Sequence, residues 1–531
     1  MIKIKNIIAV ALVAMPSMLM AQGAMDLLQF SQQDLTGTSR FVSMAGAMGA
    51  VGGDMSTIKQ NPAGIGVFKS SDMSFSLALD FSKTNTSVDK RKVMSTNSTD
   101  FYLPSTGYVG YVDLGINNTL RSISWGFSFN NSTIFSSHSG GSLGSIGTSM
   151  TNYIAGITNN SGATMSDLSY DNNPYSNSNA PWVSILAYNS FLINPVEGSN
   201  NTYQGLYGDG TSTNSEFETI ISGDIYEYNF SLGGNVLDKV YWGMNLGIYD
   251  LSYNSYTYYG EAMSDAYVSD KNGNISTGTA SWGLENSLYT RGTGYDFKLG
   301  VIVKPINELR LGFAVHTPTF YSMKDVIYTT SAYDYSTGLS GSLEANEPYG
   351  GSSYYRMTTP WRFIASAATV LNNRMILSFD YERVNYNTMT MSSKSGVEYY
   401  DVTNEVNSYF KGSNIFRIGA EYRVTPKFSL RAGYSYQDSP VNSDVFENQI
   451  YVSTASTTPS YILEKSTQYI TCGFGYSFGS LYTDLSYVYK NRESEYHAFT
   501  PVISDSYTEP SPTADINTIN NQVSLTIGLR F

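Results

Sequence analysis

The residues able to support catalysis or metal binding are few and scattered along the chain. The three histidines, His138, His316 and His497, are far apart in sequence and show no spacing typical of a metal site. Residues 140–144 match the Gly-x-Ser-x-Gly pattern of hydrolases, but that motif needs a preceding strand and a following helix, and this copy lies in a Ser- and Gly-rich stretch. The single cysteine, Cys472, excludes an intramolecular disulfide and a multi-cysteine metal site. We therefore expect no catalytic residue, no metal and no cofactor.

Charged side chains on alternating segments suggest a different chemistry, the capture of an anion. Four arginines fall on the polar side of segments in which every second residue is apolar: Arg310, Arg362, Arg417 and Arg431. A guanidinium forms strong charge-assisted hydrogen bonds with a carboxylate, so one or two of these cations are candidates to receive a ligand carboxylate. Residues of both signs share this side, namely Asp296, Lys298, Glu421 and Asp484. The alternative is a network of opposite charges with a purely structural role.

The composition excludes several classes of protein. The formal net charge is −13 and only 14% of the residues are charged, while Ser, Thr, Asn and Gly are plentiful. This acidic balance argues against nucleic acid as a partner, because phosphate binding needs clustered Lys and Arg. A helical soluble enzyme would carry more charged helix formers on its surface. The composition instead suits strands joined by long neutral loops.

The N-terminal residues are typical of an export signal, which we assign to residues 1–21. Lys3 and Lys5 supply a positive start, and an apolar run covers residues 7–20. Cleavage is expected to leave a mature chain that begins at Gln22. No later run approaches the roughly 20 apolar residues that a membrane-spanning helix needs. The mature chain is therefore expected either to be free outside the inner membrane or to cross a membrane as strands.

The C-terminal segment alternates between apolar and polar residues. Its apolar face consists of Val523, Leu525, Ile527, Leu529 and Phe531. A soluble sandwich could show the same alternation, but a final aromatic residue on the apolar face is typical of outer-membrane barrels. The pattern recurs in residues 73–81, 123–129, 242–248 and 428–436. Segments of roughly ten residues are long enough to cross a bilayer as tilted strands.

The connections between the predicted strands distinguish a barrel from a sandwich. We predict strands near residues 71–82, 104–114, 121–131, 226–236, 240–251, 293–303, 308–317, 361–371, 374–384, 414–423, 427–437, 467–478, 481–490 and 521–531. Links after even-numbered strands are tight, whereas links after odd-numbered strands are long and polar, the longest covering residues 132–225. Membrane barrels have short periplasmic turns and long external loops. The sequence thus predicts an all-β fold, a transmembrane antiparallel β-barrel of about fourteen strands over residues 71–531, in a Gram-negative outer membrane.

The segment before the first strand, residues 22–70, does not alternate. It contains a small-residue stretch over residues 43–50 and a turn at Asn61-Pro62. Its apolar content is too high and its charge too low for a disordered tail. We predict that it forms an N-terminal hatch, a plug inside the barrel lumen.

A family resemblance follows from these features. A segment of this length that ends in Asn61-Pro62-Ala63, directly before the first strand of such a barrel, resembles the FadL-type transporters of long-chain fatty acids in outer membranes. Residues 311–321, 359–362 and 378–382 are also similar to that family. The resemblance spans the chain from Phe30 to Phe531, and it is clearest in the hatch and weakest in the external loops.

The resemblance implies a mechanism. Hydrophobic ligand would be caught by the external loops, pass to an internal pocket and leave sideways into the bilayer through an opening in the third strand. Asn61, Pro62 and Ala63 would form the hatch motif that faces this strand. The opening would lie at Ser124, Trp125 and Gly126, where Gly126 permits a kink, although a glycine in a barrel strand can equally serve packing.

The longest external loop contains an apolar cluster that has two possible interpretations. Its members include Trp182, Ile185, Leu186, Phe191 and Leu192. An exposed apolar patch is a candidate groove for capture of a greasy ligand. The same residues could instead form a small core within the loop.

The expected function is passive uptake of hydrophobic molecules, with long-chain fatty acids as the leading ligand and aromatic hydrocarbons also included. The expected partners are this ligand, outer-membrane lipid and, during biogenesis, the barrel-assembly machinery, and the barrel is expected to be a monomer. Two alternatives remain at this stage. One is a general diffusion porin, and the other is a non-transporting barrel whose loops bind a surface partner.

Overall fold

The computed structural model describes residues 23–178, 180–346, 350–454, 457–503, 508–509 and 511–531. The predicted export signal over residues 1–21 lies outside them. Most of the described chain forms one antiparallel sheet of fourteen barrel strands, several of which are interrupted once. These are β1 Asp72–Val88, β2 Arg91–Asp113, β3 Leu120–Ile146, β4 Ser212–Val236, β5 Val240–Ser269, β6 Ile275–Val303, β7 Leu309–His316 with Phe320–Tyr335, β8 Gly351–Thr358 with Arg362–Leu371, β9 Met375–Asn385 with Thr390–Ser393, β10 Gly412–Arg423, β11 Phe428–Gln437, β12 Tyr461–Ser477, β13 Leu481–His497 and β14 Thr513–Arg530.

The sheet closes on itself. Strand β14 pairs with β13 on one side and with β1 on the other, in a register that runs from Asp72 opposite Arg530 to Ser87 opposite Asp515. Closure removes the free edges of the sheet, as a strand protein in hydrocarbon requires. The predicted fourteen-stranded antiparallel barrel is confirmed.

The wall has its apolar side outward and its polar side inward. On β14, Val523 and Leu525 are each 39% exposed, whereas Ser524 and Thr526 are each 1% exposed. This arrangement is the reverse of a soluble protein, and it follows from the period of two along a strand when lipid is the external solvent.

The two ends of the barrel differ in their connections. At one end every described link is a tight turn: residues 114–119, 237–239, 304–308, 372–374, 424–427 and 478–480. At the other end two links that we predicted as long loops are extended hairpins instead. Strands β1 and β2 join at Asp89-Lys90, and β5 and β6 join through residues 270–274. Ser, Thr and Tyr continue a ladder outside the membrane because water tolerates a polar outer face, so these extensions lack the apolar outer face that marks the spanning segments.

Three of the remaining connections at the loop end contain helices, whereas the described parts of the β7–β8 and β13–β14 connections contain only short strands, Ser340–Glu344, Val502–Ile503 and Thr508–Glu509. The link from β3 to β4 carries α4 Met150–Ser161, α5 Met165–Leu168, α6 Pro174–Asn177 and α7 Trp182–Asn189, the link after β9 carries α8 Tyr400–Tyr409, and the link after β11 carries α9 Ser443–Phe446. Among the described residues, no helix combines the length and the apolar composition needed to cross a membrane.

The N-terminal segment lies inside the barrel, where it folds as α1 Ala24–Ser31, α2 Ser39–Ser43, α3 Thr57–Gln60 and a 3-10 helix over Pro62–Val67. Polar contacts tie it to inward-facing side chains around the wall. The Ser39 backbone N–H donates to the Thr526 hydroxyl of β14 at 2.7 Å, and the Gly49 N–H donates to the Asp380 carboxylate of β9 at 2.9 Å. Small residues dominate here because the barrel interior leaves little room between segment and wall.

Candidate functional site

The residues predicted as a hatch motif are buried and bonded to the barrel wall. Asn61 ends α3 and begins the 3-10 helix, and its side-chain oxygen accepts the Ala63 N–H at 3.1 Å. Its amide group donates to the Gly49 carbonyl at 2.7 Å and to the Val301 carbonyl of β6 at 3.4 Å. Pro62 supplies the first residue of the 3-10 helix, where its fixed φ is favourable.

The motif faces β5 and β6 rather than β3. A side chain at Gly243 would overlap the Pro62 carbonyl, and one at Gly300 would overlap the Asn61 amide oxygen. Glycines on two neighbouring strands therefore allow the hatch backbone to approach the wall closely. Strand β3 instead meets Ile65, whose Cδ1 lies 3.3 Å from the place where a Cβ on Gly126 would be.

The ladder is continuous at the three residues predicted for a wall opening. Ser124, Trp125 and Gly126 pair with Tyr111, Gly110 and Val109 of β2, and they pair with β4 on the other side. Trp125 points outward and is 50% exposed, Ser124 is fully buried, and Gly126 packs against the hatch. In this structure Gly126 serves packing, and no kink is needed there.

The break in the wall lies further along β3. Among the described residues, backbone pairing between β2 and β3 joins Ser105–Asp113 to Ser122–Asn130 and stops there. Pro104 follows on β2, where proline lacks the N–H that a ladder needs, and β3 has a register shift between Asn131 and Thr133. Beyond the break the two strands touch through side chains, such as the Ser136 hydroxyl that donates to Asp100 at 2.9 Å.

Hatch residues occupy the backbone groups that β3 exposes at this break. The Asp34 N–H donates to the Ser132 carbonyl at 3.1 Å, and the Thr36 hydroxyl donates to the Asn131 carbonyl at 2.5 Å. In return, the Ile134 N–H donates to the Asp34 carboxylate at 3.4 Å. Buried backbone groups need such partners, so the segment between α1 and α2 takes the place of the missing strand contact.

The same Asp34 carboxylate binds two cations on β13. Its Oδ1 lies 2.5 Å from the Lys490 Nζ and 3.1 Å from an Arg492 guanidinium nitrogen, and it accepts the Tyr469 hydroxyl at 3.3 Å. Burial raises the pKa of Asp34, but the charges of Lys490 and Arg492 outweigh this effect and lower that pKa from 3.8 to about 2. The carboxylate is therefore ionised at neutral pH.

A cavity of about 220 Å³ lies next to this cluster. The hatch contributes Met25, Leu28 and Asp34 to its wall, β13 contributes Lys490 and Arg492, and residues on both sides of the break, including Tyr102 and Phe135, complete it. The rest of the lining mixes apolar side chains with many hydroxyl and amide groups and with further carboxylates, among them Asp80 and Glu464. A concave site with converging polar groups is a candidate ligand site.

The four arginines predicted as ligand cations point inward but have partners in the protein. Arg362 and Arg417 both bind Glu382, at 2.8 and 2.7 Å, and Arg362 also donates to the Ser31 carbonyl of the hatch. Arg431 bridges Glu421 and Asp484, and Arg310 donates to the Val51 carbonyl at 2.8 Å. These cations hold the hatch and wall together, and none of them lines the cavity beside Asp34.

The cations beside the cavity were missed at the sequence level, although a signal was present. Lys490 shares the inward side of β13 with Asp484, at a spacing of six residues, so the same alternation indicates it. Arg492 lies beyond the predicted end of that strand, and β13 in fact continues to His497.

The apolar cluster of the external loop forms a core rather than an open groove. Ile185 and Leu186 are fully buried, Leu192 is 1% exposed, Trp182 is 9% exposed and Phe191 packs against their cluster. They pack in one cluster with residues of α4 and with inward-facing aromatics of the extended strands.

The histidines lie apart in the structure. His138 contacts Glu218, His497 contacts Glu495, and His316 bonds to the Gln60 carbonyl. Among the residues that the structure describes, no group of three or more His, Cys, Asp and Glu side chains is placed to hold a metal ion.

Comparisons with known proteins agree with this architecture. Residues 229–457 match the family described as outer membrane protein transport protein (OMPP1/FadL/TodX). No curated protein sequence matches significantly. A crystal structure of a Pseudomonas aeruginosa FadL homologue is similar with a TM-score of 0.52 and 13% identity, covering 94% of this chain and 99% of that one.

A second solved structure, a TodX deltaS2S3 mutant of a monoaromatic hydrocarbon channel, is similar with a TM-score of 0.50 and 13% identity, covering 94% of this chain and all of that one. At such low identity these structures show the fold alone, while the family match is one of sequence. Together they confirm the predicted resemblance: residues 229–457 are similar in sequence to the outer-membrane transport proteins of the FadL/TodX family, and the barrel is similar in fold to solved structures of that type.

Proposed function

We propose that this barrel gives passive passage to hydrophobic molecules, with long-chain fatty acids as the leading ligand, and that these leave sideways between β2 and β3. The observation that carries the proposal is the position of Asp34. One hatch carboxylate bonds to the free backbone of β3 and to the two cations beside the cavity. The side chain of Asp34 therefore belongs to the hatch, lines the cavity and contacts the break in the wall.

The route that we propose begins at the external end and passes through the cavity beside α1. The cavity borders the break, because Tyr102 of β2 and Phe135 of β3 are part of its lining. A hydrophobic molecule that leaves there enters lipid without crossing the hatch or the periplasmic turns. The apolar outer face of the wall favours this direction of exit.

A fatty-acid carboxylate would compete with Asp34 for Lys490 and Arg492. Both cations already hold one carboxylate in a buried place, so a ligand carboxylate of the same charge can replace it without leaving a cation unpaired. The displaced Asp34 must then take up a proton or reach water, which offsets part of the gain. Asp34 would then release the Ile134 N–H, and the hatch would loosen its hold on β3. A neutral hydrocarbon lacks the group that displaces Asp34, so the exchange favours acids over aromatic hydrocarbons.

Two features of the structure count against the alternatives. A general diffusion porin needs a water-filled lumen, and a hatch that contacts the wall all round weighs against it. A barrel that only binds a surface partner does not require a cavity next to a break in its wall.

The first test is growth on oleate. The chain is expressed in a Gram-negative strain without its own fatty-acid transporter, and surface assembly is checked by the shift in gel mobility on heating. We expect growth on oleate as sole carbon source and its loss in the N61A/P62A variant, whereas N173A/P174A, which changes an Asn-Pro pair of the external loop, keeps it. No growth despite an assembled wild-type barrel would remove long-chain fatty acids as the ligand.

The second test addresses the sideways exit. Cysteines replace Asp100 and Ser136, whose side chains touch at 2.9 Å across the break, in a C472S background. The resulting disulfide should stop oleate uptake, and reductant should restore it. The matched control replaces Asn85 and Ser95, which already pair on the β1–β2 hairpin, and should transport equally in both redox states. Unchanged uptake through the oxidised D100C/S136C barrel would refute exit at this place.

A further inference from the structure

The outer wall of the barrel carries a compact basic patch. It consists of Arg291 on β6, Lys324 on β7, Arg356 on β8 and Lys394 just after β9, all of them exposed. Strand pairing brings them together, because Lys324 is in register with Arg291 on one side and with Tyr354 on the other. These four cations, with Tyr354, are called the basic patch below.

Tyr354 is the centre of the patch. Tyr354 is 52% exposed, and two lysines lie over its ring: the Lys324 Nζ is 5.4 Å and the Lys394 Nζ is 5.2 Å from the ring centroid. A tyrosine ring attracts a cation weakly, and two ammonium groups on one ring repel each other. An anion bound beside both ammonium groups would offset that repulsion.

The patch lacks carboxylate partners. Among the described residues, none of its four cations has a carboxylate within ion-pairing distance. Arg291 donates to neutral acceptors, the Tyr253 carbonyl and the Asn254 side chain. Asp325, next to Lys324 in sequence, is fully buried on the inward side. A concentration of unpaired positive charge on a chain with a net charge of −13 calls for an anionic partner.

The position of the patch relative to the membrane identifies that partner. Outward-facing aromatic residues lie on both sides of the patch along these strands. Toward the tight turns they are Tyr295 on β6, Phe320 on β7, and Trp361 and Phe363 at the interruption of β8, and toward the external loops they are Tyr289 on β6 and Tyr328 on β7. Aromatic residues of this kind lie at the level of the lipid headgroups. The patch cations lie between these two groups of aromatics, which places them at the outer headgroup layer on the lipid-facing side.

We propose that the basic patch binds the phosphate groups of lipid headgroups in the outer leaflet. Arginine and lysine side chains bind phosphate through charge-assisted hydrogen bonds, and Tyr354 offers a flat surface beside the headgroup. The source of the phosphate is membrane lipid, because the cations are held at the headgroup layer on the lipid-facing side. This binding is independent of transport, and it fixes the tilt and depth of one side of the barrel.

The test measures retention of phosphorylated lipid by the purified full-length barrel. Native mass spectrometry follows titration with bis-phosphorylated lipid A and with the same lipid after removal of both phosphates. We expect the K324A/R356A/K394A variant to bind the phosphorylated lipid at least about tenfold more weakly than wild type, since each cation near an anionic lipid contributes to binding. The K90A/R91A/K92A variant, which removes three exposed cations from the β1–β2 hairpin, should bind as wild type does.

Further measurements with wild type and single variants distinguish the possible outcomes. Wild type should prefer the phosphorylated lipid, and an excess of inorganic phosphate should not displace it. The single variants K324A and K394A should lose part of the affinity, which keeps the test valid if the triple variant assembles poorly. Equal retention by the patch and hairpin variants, or equal binding of both lipids by wild type, would overturn the assignment. Displacement by inorganic phosphate would show a site for free phosphate and overturn it as well.

Discussion

Replacement of Asp34 by asparagine tests the link between hatch and wall most directly. The substitution keeps the shape of the side chain but removes the charge that Lys490 and Arg492 share. Their attraction lowers the Asp34 pKa from 3.8 to about 2, and its side chain is only 8% exposed, so no large discount for solvent applies. A shift of this size corresponds to about 2–3 kcal/mol of hatch stability at neutral pH.

That loss should appear as faster opening of the hatch while the barrel remains assembled. About 2–3 kcal/mol corresponds to a roughly 30- to 150-fold change in an opening equilibrium. Hydrogen–deuterium exchange of a peptide covering residues 24–36 measures it, because the Asp34 N–H is protected by the Ser132 carbonyl. We expect exchange in this peptide to rise by at least about tenfold in D34N and to stay unchanged in peptides from β14.

The pH dependence gives a second check on the same variant. A carboxylate with a depressed pKa stabilises the folded state above its unfolded pKa, and this contribution is lost as pH falls through the folded value. For Asp34 the window is from about pH 4 down to about pH 2. Wild type should therefore approach D34N near the bottom of this window. D89N, on an exposed hairpin turn, is the control, and equal exchange of D34N and wild type at neutral pH would refute the reasoning.

Two further outcomes are expected. G300A should displace the Asn61 amide, because a Cβ at position 300 overlaps it. Oleate uptake should therefore fall at least about tenfold, and hydrogen–deuterium exchange of residues 57–67 should rise. The control G147A has open space around its Cβ and should change neither, and normal uptake by G300A would contradict the role of this close approach. In α8 of the external end, burial raises the pKa of Glu405 to about 7. Stability from a raised carboxyl pKa is present below the unfolded pKa of 4.5 and is lost as pH rises to the folded pKa of about 7. Exchange of residues 400–409, corrected for intrinsic rate, should therefore quicken across this window; E405Q should abolish this dependence, and an unchanged slope would refute it.

The sequence alone was sufficient for the wall of the barrel. Side chains alternate between the two faces of any strand, so the local sequence predicts which residues face lipid and which face the lumen. On β14 the apolar Val523 and Leu525 face lipid, and the polar Ser524 and Thr526 face the lumen. The tight turns at one end marked the ends of successive strands, and from them the sequence predicted an even number of about fourteen strands. The hatch was also visible, because residues 43–50 are too apolar and too small for a solvated tail.

The external end was predicted less well for a physical reason. Outside the membrane a strand needs no apolar outer face, so the extension of β5 to Ser269 resembles a polar loop in sequence. The apolar run around Ile185 and Leu186 looked the same whether it covered a groove or a small core. Only its contacts with α4 and with aromatics of distant strands decided for a core.

The tertiary structure alone decided the chemistry of the lumen. Inward direction was predictable for Arg362 and Arg431, but whether a cation is free depends on a carboxylate from another strand, such as Glu382 for Arg362. Asp34 gives the clearest example, because its partners Lys490 and Arg492 lie more than 450 residues away along the chain. Local sequence specifies which side a residue faces, since that is set by the backbone period, whereas pairing across a closed barrel depends on register and closure, which no local segment contains.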